Sequence, residues 1–71
     1  MIGDVIVVAG PEEIGNTFGY SGHFVPEGRW AACCIEEYVD GGVGPSTIDG
    51  VLYRSAEKAE VAAEAYRRKK T

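Results

Sequence analysis

A chain of 71 residues, 45% hydrophobic and 25% charged, has room for one domain with a thin core; its composition excludes a disordered tail, a coiled coil and a multidomain architecture. The formal net charge of −4 is unevenly placed, with eight acids against two arginines in residues 1–54 and three acids against five bases in residues 55–71. An acidic body with a short basic tail is the charge pattern that a function must use or ignore.

In chain order, residues 4–9 form a β-branched run stopped by Gly10-Pro11, which predicts a first strand buried on both faces and central in its sheet. Residues 11–17 read as a connection without a core of their own, with room for one helical turn after Pro11. From Phe18 the pattern alternates, and residues 18–25 are expected as a second strand with Phe18, Tyr20 and Phe24 turned inward. Val25-Pro26-Glu27-Gly28-Arg29 carries Pro and Gly at the spacing of a tight turn and predicts a hairpin.

The third strand is expected over residues 29–40, with Ala31, Cys33, Ile35 and Val39 on one face and Trp30, Ala32, Cys34, Glu36 and Tyr38 on the other. The run from Asp40 to Ser46 contains three glycines and Pro45, so it reads as a loop that breaks the sheet before a fourth, edge strand over residues 47–53. Ser55 is a good cap, Glu57 and Glu60 suit the positive end of a helix dipole, and residues 56–70 contain neither Gly nor Pro. A helix is therefore predicted there, with Ala56, Ala59, Ala62, Ala63 and Tyr66 as the stripe facing the sheet. The expected fold class is α+β: residues 1–71 form a single domain in which a three- to four-stranded antiparallel sheet packs against one C-terminal α-helix.

Candidate chemistry is sparse. His23 is the only histidine, and Ser21, two residues away, does not make it half of a nucleophile and base pair. Cys33 and Cys34 point to opposite faces of an extended strand, so neither a disulfide nor a shared zinc ion suits them, and free thiols are expected. Glu36 and Glu37 diverge for the same reason and cannot act on one substrate atom. Gly41, Gly42 and Gly44 lack the lysine and the following helix of a phosphate-binding loop. No cofactor, no metal and no enzymatic activity are expected. Without a stapling disulfide, a leader-like stretch or an apolar run long enough to span a bilayer, the expected location is cytoplasmic, with no membrane partner.

Two binding readings remain. Glu12, Glu13, Glu27, Glu36, Glu37, Asp40 and Asp49 offer carboxylates to a protein partner with a basic surface, with Trp30 and Tyr38 as aromatic anchors beside Glu36. Alternatively Arg67, Arg68, Lys69 and Lys70 give the helix end a phosphate-binding patch, although these bases also suit the helix C-terminus, and the acidic body repels a duplex. The open edge of the fourth strand, with Val61 and Ala65 off the main helix stripe, leaves room for a homodimer.

In size, acidity and the order of elements ending in Tyr53-Arg54-Ser55-Ala56-Glu57-Lys58-Ala59, the chain resembles small acidic phage and mobile-element proteins, anti-CRISPR inhibitors among them. The resemblance covers the whole chain without a motif and carries over no functional residue. It implies a protein that works by occupying another protein's surface, often a basic surface built for nucleic acid.

Overall fold

A computed structural model of the chain describes residues 1–16, 22–39 and 41–70, the side chains of Asn16 and Lys70 excepted. Five strands, β1 (Val5–Ala9), β2 (Glu12–Asn16), β3 (His23–Val25), β4 (Trp30–Glu37) and β5 (Val43–Thr47), precede one helix, α1 (Ala56–Lys70). The strands form a mixed sheet in the order β1-β4-β5-β2-β3. The α+β class is as expected from the sequence, but the sheet has five strands, one pair of them parallel, in place of three or four antiparallel ones.

The sheet is best understood as one long antiparallel ribbon bent back on itself. Val5 to Ala9 pair with Cys34 to Trp30, and the ladder resumes with Glu12 opposite Val25 and Ile14 opposite His23. Between the two halves the Gly10 N–H still donates to the Arg29 carbonyl at 2.9 Å, so the bend lies at Gly10-Pro11 facing the turn over residues 26–29. An added Cβ at Gly10 would lie 1.8 Å from the Pro26 carbonyl oxygen, which explains glycine there. β5 fills the opening, antiparallel to β4 and parallel to the end of β2 through Gly15–Ser46 and Asn16–Thr47. Three residues from Ala9 to Glu12 span at most about 11 Å, whereas three strand spacings measure about 14 Å, so the sheet must curl.

The concave side of the curl gathers Ile14 and Val25 from one half of the ribbon and Ala31 and Cys33 from the other, joined by Val8 and Leu52. The outer side of β1 and β4 is covered by α1, where Val5, Ala32 and Ala63 meet Val7, Ile48, Tyr53 and Tyr66. Ala59 and Ala63 are fully buried and let the helix approach closely, as the stripe predicts; Ala56 is exposed. The Ser55 Oγ accepts the Lys58 N–H at 3.2 Å and caps the helix where the sequence places its start. No helix among the described residues is long and apolar enough to cross a membrane.

Several expectations are corrected. β1 lies at an edge rather than in the centre: its two apolar faces are covered by α1 and by the far half of the curled sheet, which requires no strand on its second hydrogen-bonding edge. Residues 12–16 are a strand, and Ile14 is a core residue only 3% exposed. The tight turn exists, with the Arg29 N–H donating to Pro26 O at 3.1 Å and Gly28 at φ +82°, but it joins strands that pair with different partners and so closes no hairpin. In β3 the side-chain parity is reversed, Val25 being buried and Phe24 58% exposed; residues 18–21 lie outside the described residues. The expected loop before Thr47 is the inner strand β5, and the expected edge strand over residues 47–53 is reduced to an isolated bridge between Trp30 and Tyr53. The edge proposed for self-contact there does not exist.

Candidate interaction surface

Tyr38 follows directly on β4, and its ring folds back over the sheet. The ring occupies the space that a side chain would take at Gly15 of β2 and at Gly44 of β5: added Cβ atoms would lie 2.6 Å from its Cε1 and 2.6 Å from its hydroxyl. The hydroxyl donates to the Pro45 carbonyl at 2.6 Å. β2 and β5 are in register only at residues 15–16 and 46–47, so Pro45 lies where β2 has diverged from β5. In a strand the N–H and C=O of one residue point the same way, so the missing N–H of Pro45 costs no ladder bond, and the phenol satisfies the carbonyl.

The neighbours of this ring on the same face follow from strand parity and pairing. Glu13 precedes Gly15 by two residues and is exposed; Glu36 is the cross-strand partner of Gly44 and is half-buried; Phe24 is the partner of Glu13. The Glu13 carboxylate also reaches the space over Gly22, 2.7 Å from where a Cβ would stand, on the same side as Phe24. Tyr38, Phe24, Glu13 and Glu36 thus share the part of the outer face that α1, packed on β1 and β4, leaves open.

The other predicted residues are dispersed. Trp30 stands at the opposite end of β4 from Glu36, six residues or roughly 20 Å away, so Trp30 and Tyr38 do not form one contact centre. Glu12 and Glu37 are exposed but lie on the opposite faces of their strands from Glu13 and Glu36, and Glu27 is exposed in the turn. The Asp49 carboxylate is committed to its own loop, accepting the Val51 N–H at 3.0 Å and the Tyr53 hydroxyl. Asp40 lies outside the described residues. Phe24, expected to face inward, is a surface residue, and no local signal marks it, since the larger aromatic at 24 rather than Val25 is the one left outside.

The basic tail is likewise divided. Arg67 donates to Glu60 at 2.6 Å, to Glu64 at 3.1 Å and to the Val5 carbonyl at 2.7 Å, so its guanidinium seals the free edge of β1. Its hydrogen bonds to Glu60 and Glu64 hold its proton more tightly than usual. Arg68 is 3.5 Å from Glu64, Lys69 is exposed, and the side chain of Lys70 is not described. The tail is therefore not a uniform cationic patch.

Among the described residues, both thiols and the histidine Nε2 are buried. Cys33 and Cys34 are free and buried, Cys33 on the concave side, and burial, with Asp49 and Cys34 nearby, pushes the Cys33 thiol up to about 12. His23 pairs with Ile14 and its Nε2 is buried without a hydrogen-bond partner among the described residues. Among the described residues there is no group of three His, Cys, Asp or Glu placed to hold a metal ion. Comparison of the chain with protein-family models, with curated proteins and with solved structures finds no match.

Proposed function

We propose that this chain is a non-enzymatic binding protein, an inhibitor or adaptor, that docks the open part of its outer sheet face on a basic protein surface of the kind that otherwise holds nucleic acid. The observation that carries the reading is Phe24, 58% exposed on a strand, beside a half-exposed tyrosine ring with carboxylates at Glu13 and Glu36. Aromatic faces attract guanidinium and ammonium groups, and flanking carboxylates accept their hydrogen bonds. The net charge of −4 steers a basic partner toward the chain and repels free nucleic acid.

Affinity capture from the source cell with immobilised chain, at low and at high salt, tests the reading. A basic protein retained at low salt, released by high salt and lost with Glu13→Lys, Glu36→Lys or Phe24→Ala is the expected result. Retention of random DNA or RNA that depends on Arg68 and Lys69, with no effect of the sheet variants, would overturn it in favour of a nucleic-acid module.

A further inference from the structure

The open part of the outer sheet face holds the same pairing twice, a carboxylate beside an aromatic ring. Glu13 of β2 stands directly opposite Phe24 of β3, which is 58% exposed. Glu36 of β4 stands opposite Gly44 of β5, and the side-chain space at Gly44 is taken by the Tyr38 ring. Cross-strand neighbours on one face have Cβ atoms about 5 Å apart, so in each pair one bound group can touch ring and carboxylate together. The Tyr38 ring meets Gly44 through its hydroxyl, Cε2 and Cζ and meets Gly15 through Cε1 and Cδ1, so it lies across two strands with one face outward. Its hydrogen bond to Pro45 O holds it there. Among the described residues neither Glu13 nor Glu36 has a hydrogen-bond or ion-pair partner for its carboxylate, whereas Asp4, Asp49, Glu60 and Glu64 are each engaged within the chain.

We propose that each pair seats one arginine side chain of the protein partner, two guanidinium groups in all, and that lysine is a poor substitute at both. The inference rests on the sheet face being the docking surface, and it names the chemistry that this face selects. A guanidinium is planar and weakly hydrated, so it lies flat on a ring while its edge donates two parallel N–H bonds to a carboxylate. An ammonium is compact and strongly hydrated, and at an open site it gains little from an exposed carboxylate. The Tyr38 ring, already held in place, loses little freedom when a guanidinium stacks on it. Glu13 and Glu36 lie on strands separated by β5, so the two seats are roughly 10 Å apart. Residues seven apart on an α-helix share one side and stand about 10.5 Å apart, so a helix with arginines at that spacing fills both seats.

The test is an NMR titration of the full, nitrogen-15-labelled chain with an alanine-based helical peptide carrying two arginines seven residues apart, set against the same peptide with two lysines. The arginine peptide is expected to bind about tenfold more tightly than the lysine peptide, with the largest amide shifts around Glu13, Phe24 and Glu36. Phe24→Leu keeps apolar bulk but has no aromatic face, and Glu13→Gln keeps the shape of the side chain without its charge; each is expected to remove most of the preference. Both positions are exposed, and the amide spectrum of each variant reports whether the fold persists. Equal binding of the two peptides, or an arginine preference that survives in both variants, overturns the proposal. A basic partner captured through the sheet face with no preference for arginine removes the two seats and leaves the docking surface standing. An arginine preference on a chain that captures no partner supports the seats and removes the proposed function.

Discussion

Replacing Gly44 with alanine tests the packing of Tyr38 over the two glycines. The new Cβ would lie 2.6 Å from the tyrosine hydroxyl and 3.0 Å from Cε2 and Cζ, so the ring must retreat by roughly 1 Å. That retreat breaks the 2.6 Å hydrogen bond to Pro45 O, worth about 1 kcal/mol, and adds an overpacking cost of about 1–3 kcal/mol. Glycine in a strand interior is itself unfavourable by about 0.5–1 kcal/mol, so the net expected loss is roughly 2 kcal/mol. Against a total of roughly 4–10 kcal/mol for a domain of this length, that is readily measured. Urea unfolding followed by the fluorescence of Trp30, the single tryptophan, and by circular dichroism gives the values. In a Tyr38→Ala background the obstacle is gone, and Gly44→Ala should then stabilise by about 0.5–1 kcal/mol, a coupling of roughly 3 kcal/mol where independent sites agree within about 0.5 kcal/mol. Equal costs in the two backgrounds would refute the idea that the ring is what requires glycine.

Gly10→Ala should be more damaging than Gly44→Ala, because its Cβ would meet backbone, the Pro26 carbonyl at 1.8 Å, which no rotamer change relieves; a loss above about 3 kcal/mol or failure to fold is expected in the same assay. Arg67→Ala should speed amide hydrogen exchange in residues 5–9 relative to those of β4 and lower the melting temperature, whereas Lys69→Ala should do neither; equal protection in β1 would show that the guanidinium does not seal that edge. Cys33 and Tyr53 both have folded-state values raised to about 12, Cys33 chiefly by burial and Tyr53 by desolvation and its bond to Asp49. An acid with a raised folded-state value favours the native state only while protonated, so stability should be full below about pH 9 and be lost as pH rises from there through 12. Cys33 should also resist a thiol reagent at pH 8 until denaturant is added, and fast labelling of native protein at Cys33 would contradict its burial.

The helix was legible because its signals are local: a serine cap, an early glutamate and fifteen residues without Gly or Pro. The alternation of β4 was legible too, and it placed Ala31 and Cys33 opposite Ala32 correctly. β5 was hidden because Gly44 and Pro45, which read as breakers, serve a tertiary purpose. Glycine makes space for Tyr38, and proline stands where no ladder donor is needed. β2 was hidden because only Ile14 of its five residues is buried and apolar, the rest of its order coming from pairing on both sides. A run such as residues 5–9, apolar on both faces, is equally suited to a central strand and to an edge strand beneath a helix, so strand order could not be read from it. Tyr38 stands with Trp30 and Glu36 in the strand alternation, whereas its ring lies over Gly44 and Pro45 of the next strand and over Gly15 of β2, a juxtaposition that no local pattern shows.

The exposure of Phe24 has a geometric origin and an unexplained choice of residue. A helix about 10 Å across covers two strands of a sheet, and five strands span roughly 19 Å, so a single helix necessarily leaves part of the outer face bare. Tyr38 covers the glycine-lined seam; Phe24 stands beyond it. Geometry requires that some residue be exposed there but not that it be aromatic, since a serine or threonine would sit on β3 without presenting apolar surface to water. If Phe24 serves binding, Phe24→Ser should change unfolding free energy by less than about 1 kcal/mol, as expected for a surface position, while abolishing capture of the basic partner. A loss of about 3 kcal/mol or more, the range of a buried aromatic, would instead make Phe24 a core residue and remove the contact surface on which the proposed function rests.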